Sequence, residues 1–392
     1  MRGLASRVRE LKPSPTLLIT AKAKELRAKG VDVIGFGAGE PDLDTPEFIK
    51  EACVRALKEG KTKYAPSAGL PELREAIAEK LEVENGLNYD PSEVVVCAGA
   101  KMALFLTFMA LVEEGDEVLI PSPYWVTYPE QVRLFGGRPV EVPTYPEDGF
   151  RLRAEEVKKR ITPRTKLLVL NYPNNPTGAL YDESELKKIA ELCLERGIFV
   201  VSDECYEKFV YEGSFKSFAS LLPELKEITF TVNAFSKSFS MTGWRVGWVA
   251  CPRPYAEVIA SLNSQSVSNV TTFAQYGALE ALKNPEGRRF TEKLRELFKK
   301  RREIALRELS KIEKIKLTPP AGAFYLFPDA RYYAEKLGGD LKLAELLLDR
   351  GKVAVVPGSA FGAEGFFRLS YALSEDKLTE GIRRIAEVLS GL

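Results

Sequence analysis

Leu167-Leu168-Val169-Leu170-Asn171-Tyr172-Pro173-Asn174-Asn175-Pro176-Thr177-Gly178 joins four consecutive apolar residues to a turn rich in proline and asparagine. An apolar run without polar alternation is what a strand covered on both faces requires, and it points to a largely parallel sheet flanked by helices. The two prolines and the glycine continue neither helix nor strand, so the chain turns rigidly and holds Asn175 at the rim of the sheet. The same grammar recurs on both sides. Residues 94–96 run into Cys97-Ala98-Gly99-Ala100-Lys101 and a helix-like stretch over 102–112. Residues 118–120 end at Pro121-Ser122-Pro123-Tyr124-Trp125, 198–201 at Ser202-Asp203-Glu204, and 228–232 at Asn233-Ala234-Phe235-Ser236-Lys237. Helical patterns such as 183–196 separate the runs. In open α/β sheets ligands bind at the strand ends, so these polar residues are expected to converge on one rim.

The last third of the chain differs. Residues 286–310 form a long charged helical pattern containing Lys299-Lys300-Arg301-Arg302, read as a solvated helix face. Pro319-Pro320, a strand-like 323–327, a helix near 341–350 and a strand over 353–356 follow, ending at Pro357-Gly358. They predict a second, smaller α+β domain joined by the N-terminal segment.

Composition removes whole classes of function. The 392 residues are 28% charged, with 56 Lys+Arg against 55 Asp+Glu, which argues against a nucleic-acid or membrane-surface protein. No apolar run approaches the ~20 residues of a membrane span, and the first residues lack a signal-peptide core. Cys53, Cys97, Cys193, Cys205 and Cys251 form no C-x-x-C pair, so a reduced cytoplasm is expected. Histidine is absent altogether. This excludes Ser-His-Asp and Cys-His nucleophiles, H-E-x-x-H metal sites and imidazole proton shuttles; no metal is expected, and proton transfer falls to Lys, Asp, Glu, Tyr or Cys. Nine Asn and three Gln beside abundant Lys, Arg and Glu match a thermostable protein's bias, and a reconstructed or engineered chain is equally compatible.

Three phosphate-binding patterns are testable. Gly35-Phe36-Gly37-Ala38-Gly39 is followed by Glu40-Pro41 and opens no helix, so it fails as a dinucleotide fingerprint. Gly60-Lys61-Thr62 has Arg55 where a P-loop needs glycine. Cys97–Lys101 does join a strand to a helix N-terminus, where backbone N–H groups and the helix dipole favour phosphate. Asp203 follows apolar residues and should be buried with a cationic or donor partner. Lys237 sits among Phe235, Phe239, Met241 and Trp244, an apolar setting that would lower its pKa and make its amine nucleophilic. Arg245 offers a guanidinium to a phosphate, and Trp125 a flat face to an aromatic ring. An aromatic ring with a phosphate arm and an aldehyde for the lysine answers all of these, and pyridoxal 5′-phosphate is such a ligand.

The chain resembles the class I, fold-type I pyridoxal-phosphate aminotransferases, near the aspartate/prephenate branch. The resemblance is carried almost end to end. It includes L-K-P-S-P-T from Leu11, A-G-E-P-D from Ala38, K-Y-A-P from Lys63, S-P-Y-W from Ser122 and N-Y-P-N-N-P-T-G from Asn171. It continues with S-D-E-C-Y from Ser202, S-K-S-F-S-M-T-G-W-R from Ser236, V-V-P-G from Val355 and F-R-L-S-Y-A from Phe367. It implies a large domain over 46–285 with a mostly parallel seven-stranded sheet, a small α+β domain over 286–392, and an arm over 1–45 that also contributes to the small domain.

Residue by residue, the resemblance implies that Lys237 binds the cofactor covalently and carries the proton between Cα and C4′. Asp203 would pair with the ring nitrogen, Asn175 and Tyr206 with the ring's 3-oxygen, and Trp125 would stack on the ring. Gly99, Ala100 and Lys101, with Ser236 and Arg245, would hold the phosphate. Tyr64 would reach the phosphate of a neighbouring subunit in a homodimer with shared sites. Arg368 would grip the substrate α-carboxylate, with Gly39, Trp125 and Asn175 nearby. Ala234 stands where many relatives carry a phosphate-binding serine, and Lys208 where they often have histidine. Lys101 matches a position that binds a substrate's distal carboxylate, and Lys12 one linked with prephenate use. They imply transamination of aspartate and glutamate with 2-oxoglutarate, and prephenate use. An aromatic or broad-range aminotransferase is the alternative if these lysines do other work, and a pyridoxal-phosphate lyase a more distant one.

Overall fold

A computed structural model describes Gly3, residues 5–9 and residues 15–392. The strands, in chain order, are β1 (Ile34–Gly35), β2 (Val94–Cys97), β3 (Glu117–Ser122), β4 (Arg138–Pro143), β5 (Thr165–Asn171) and β6 (Phe199–Asp203). They continue as β7 (Thr229–Ala234), β8 (Gly247–Ala250), β9 (Tyr325–Leu326), β10 (Val353–Ala354), β11 (Val356–Pro357) and β12 (Phe367–Ser370). A seven-stranded sheet takes the order β2-β8-β7-β6-β5-β3-β4, and every pairing is parallel except those of β8, which runs against both β2 and β7.

Leu167, Leu168 and Leu170 of β5 are fully buried, as the unalternating run demands of a strand covered on both faces. Each such side chain withdrawn from water contributes about 1.5–3 kcal/mol. The helix Glu183–Arg196 buries Leu186, Ile189, Ala190 and Cys193, spaced as one helical face, and ends on Gly197 at φ 63°.

Two smaller sheets lie apart from the large one: β1 pairs with β10 in parallel, and β11-β12-β9 form an antiparallel trio. The run 353–356 is therefore not one strand. Val353–Ala354 bond to β1 and Val356–Pro357 to β12, so the chain changes partner at Val355. All four residues are buried, and uniform burial hides which neighbour each backbone group meets.

The helix Pro285–Leu309 brings a second correction. Arg301 and Arg302 are not a solvated face: they are 5% and 3% exposed. Arg301 forms a bidentate pair with Asp42 at 2.6 and 2.9 Å, and Arg302 reaches the Pro320 carbonyl at 2.7 Å and the Glu212 carboxylate. Guanidinium groups this deep need partners on other elements, and those partners lie far away in sequence. Among the described residues no helix is long and apolar enough to cross a membrane, and no cluster of His, Cys, Asp and Glu could hold a metal.

Candidate active site

The carboxyl ends of β2, β3, β5, β6 and β7 share one rim of the sheet, and a cavity of about 350 Å³ opens there. Ala100 and Lys101 follow β2, Trp125 and Tyr128 follow β3, Asn171 ends β5, Asp203 ends β6, and Ala234, Ser236 and Lys237 stand at the end of β7; all line the cavity. Because β8 runs antiparallel, its first residue Gly247 pairs with Cys97 and Ala234 at the same rim. Arg245, just before β8, is delivered there as well.

At the cavity floor Asp203 is 4% exposed. Its Oδ2 accepts from the Tyr128 hydroxyl at 2.7 Å and its Oδ1 from the Cys205 N–H at 3.2 Å. Burial pushes the Asp203 carboxyl above the ordinary range, opposed by these donors and by the charge of Lys237. Each oxygen keeps capacity for a further donor.

The Lys237 ammonium donates to the Gly39 carbonyl at 2.6 Å. Burial, the largest influence, lowers its pKa to about 8, with Arg245 and Arg368 acting in the same direction. Phe235, Phe239 and Met241 pack into a core cluster with Trp248, away from the cavity.

Arg368, 2% exposed on β12, donates to Asn175 Oδ1 at 2.9 Å and to the Gly37 carbonyl at 2.7 Å. Its guanidinium carbon lies 4.6 Å from the Tyr325 ring centre and 5.1 Å from that of Phe361. Its Nε is buried without a hydrogen-bond partner, an expensive state that an anionic ligand would relieve. Asn175 is itself held by its N–H on Asn171 Oδ1 at 2.9 Å. The Tyr206 hydroxyl meets that of Tyr325 at 2.8 Å. Arg245 is braced on the Thr242 carbonyl at 2.8 Å, and the Lys101 ammonium lies 4.9 Å from the Trp125 ring centre.

Lys101, Lys237, Arg245 and Arg368 thus face Asp203 as the one carboxylate among the lining residues. An excess of cations around an aromatic wall suits a ring carrying a phosphate together with a carboxylate-bearing substrate, and so fits pyridoxal phosphate.

Of the residues singled out from the sequence, Gly39, Ala100, Lys101, Trp125, Asn175, Asp203, Tyr206, Ser236, Lys237, Arg245 and Arg368 all line this cavity. Gly99 caps the helix Ala100–Leu111 at φ 78°. Tyr64 does not line it and stands 90% exposed. Lys12 lies outside the described residues. Tyr128, Tyr325 and the Gly37 carbonyl were not anticipated. Tyr128 had a faint signal, three residues after Trp125 at helical spacing. Tyr325 had none, being one more aromatic residue in an apolar strand.

Residues 31–385 match the family described as aminotransferase class I and II. A probable aspartate/prephenate aminotransferase of Aquifex aeolicus is 72% identical over 389 residues, 99% of each chain. The aspartate/prephenate aminotransferase of Thermus thermophilus is 50% identical over 390 residues, again 99% of each. A solved structure of aspartate aminotransferase from Thermus thermophilus with maleate superposes at a TM-score of 0.95, with 49% identity, over 99% of this chain and 100% of that one.

Proposed function

The chain belongs to the class I and II aminotransferases, and we propose that it transfers the amino group of L-aspartate, and of glutamate, to 2-oxoglutarate with pyridoxal phosphate as cofactor. The observation that carries the reading is the shared cavity of Lys237, Asp203 and Arg368, with the Nε of Arg368 still lacking a partner. When bound, the cofactor supplies an aldehyde that condenses with amines and a ring that withdraws the electron pair left at Cα.

The chain's own groups would do the rest. Asp203 holds a proton on the ring nitrogen, while Asn175 and Tyr206 donate to the 3-oxygen. Trp125 stacks on the ring. The backbone of Gly99, Ala100 and Lys101, with Ser236 and Arg245, holds the phosphate at the start of the helix. Arg368 would clamp the α-carboxylate with its planar fork, beside Gly39, Trp125 and Asn175, and so fix the orientation of Cα for proton removal. Lys237 moves that proton between Cα and C4′. Lys101, with Lys12, would hold a second carboxylate. That favours dicarboxylic substrates and extends the reading to prephenate, a keto acid with two carboxylates. The names of the Aquifex and Thermus relatives support this extension.

We also read residues 46–285 as the cofactor-binding domain and 286–392, with part of 1–45, as the small one; the assignment of β2–β8 to one sheet and of β1 and β9–β12 to the others supports the division. The exposed Tyr64 supports a homodimer in which it completes the partner's phosphate site. Five free cysteines support work in a reducing cytoplasm.

The test is a panel of amino donors assayed against 2-oxoglutarate. Aspartate and glutamate should lead, and Lys101→Ser should lower the aspartate-to-phenylalanine ratio of kcat/KM about tenfold. Lys237→Ala should abolish transfer and the lysine-dependent absorbance. A panel led by phenylalanine would replace the proposal with an aromatic enzyme.

A further inference from the structure

Two side chains of the proposed cofactor site hang from adjacent strand ends, Tyr206 just beyond β6 and Lys237 just beyond β7. Between those ends, outside the cavity lining, lies the carboxylate of Glu207. Its Oε1 accepts from Nδ2 of Asn233 at 2.9 Å and pairs with the Lys80 ammonium. Its Oε2 accepts from Nδ2 of Asn85 at 2.7 Å. Asn233 uses its own Oδ1 to accept the N–H of Ala234 at 2.8 Å. All four side chains are buried, with Lys80 and Asn85 at 8%, Glu207 at 9% and Asn233 at 2% exposure.

The arrangement gives one anchor to both strand ends. Glu207 is the next residue after Tyr206, and Asn233 lies one residue before the Ala234 that lines the cavity and leads to Lys237. Ala234 also lines a second cavity of about 390 Å³ on the far side, together with Lys80, Glu207 and Asn233. Ala234, at the end of β7, is thus shared by both cavities, while Phe235 after it packs into the core. The sheet ladder fixes β7 as far as Ala234 through its pairing with Gly247, and the bonds to the Glu207 carboxylate add a directional link from that strand end to the one bearing Tyr206. An ion pair this deep costs desolvation that a hydrophobic pair would not, so stability alone is a poor account of it.

We propose that Glu207, acting through Asn233, is a positioning residue that holds Lys237 in register with Tyr206, so that the cofactor's aldehyde carbon and 3-oxygen are met together. The proposal rests on the cofactor reading above. In the loaded wild-type enzyme without substrate, the lysine-dependent absorbance should titrate with pH, at a midpoint that donors on the 3-oxygen would lower. Asn233→Ala should move that midpoint upward by half a pH unit or more, and slow uptake of pyridoxal phosphate by the apoprotein about tenfold. Asn233→Ser, which can still accept the Ala234 N–H but is too short to reach Glu207, should do the same, and stands in if the alanine variant folds poorly.

Asn85→Ala is the structural control. It removes bonds on the other side of the same carboxylate and should lower the unfolding temperature while leaving the midpoint in place. An unmoved midpoint in both Asn233 variants, or an equal shift in Asn85→Ala, overturns the proposal. A wild-type protein with no lysine-dependent absorbance would instead overturn the cofactor reading itself, a distinct result.

Discussion

At the residue scale, the site depends on groups held away from their ordinary protonation or pairing. Lys237, brought to about 8 mainly by burial, is the plainest case. Only the neutral amine attacks an aldehyde, so uptake of pyridoxal phosphate by the apoprotein should rise with pH through about 8 and level off above it. Below that value it should fall about tenfold per pH unit. Stopped-flow absorbance at several pH values measures this, and a midpoint above pH 10 would show an ordinary lysine. Arg368 offers a second check. Arg368→Lys keeps the charge but loses the planar fork between Tyr325 and Phe361, and should cost about a hundredfold in kcat/KM for aspartate, roughly 2.7 kcal/mol. Lys237 and Asp203 were legible from their places at strand ends. Tyr128 and Tyr325 were not, because an aromatic residue that bonds a carboxylate and one that only fills a core look alike in sequence.

Elements place these residues through contacts that leave no local mark. Strand β8 is the informative one. As an antiparallel member it starts at the rim where its neighbours end, so Arg245 joins the turn at Gly99–Ala100. A Cβ on its first residue, Gly247, would stand 2.7 Å from the Ala100 nitrogen and 2.8 Å from the Asn233 carbonyl. Both obstacles are backbone and cannot swing aside. Gly247→Ala should therefore push the Gly99–Ala100 turn outward, costing roughly 1–3 kcal/mol of stability and weakening the cofactor's affinity about tenfold or more. Equilibrium dialysis and thermal unfolding read the two effects separately. The helix Glu183–Arg196 followed its apolar spacing. The strand over 353–356 did not, since periodicity reports burial and is silent about the bonding partner.

For the whole molecule, the bidentate pair of Asp42 with the buried Arg301 ties the N-terminal segment carrying Gly37 and Gly39 to the long helix of the C-terminal part. Both carbonyls contact the site, through Arg368 and Lys237. The protein's proposed dimeric nature can be tested by complementation. Tyr64→Ala and Lys237→Ala homodimers should each be impaired. Hybrids of the two should regain activity, because the intact Lys237 of one subunit receives Tyr64 from the other. Hybrids no better than the parents would show that Tyr64 serves no partner.

The apolar runs and the residues that end them were enough to specify an α/β sheet and to mark Lys237 and Asp203 as candidates at its rim, and the absence of histidine narrowed the groups able to move a proton there. Those properties are local: a strand buried on both faces and a rigid turn are written in adjacent residues. Which side chains complete the site was decided by tertiary structure. Tyr128 on Asp203, Tyr325 on Tyr206 and Asn233 on Glu207 join residues from 26 to 119 positions apart. Burial made each bond necessary, because a buried polar group without a partner is costly, but only the packed sheet settled which partner it would meet.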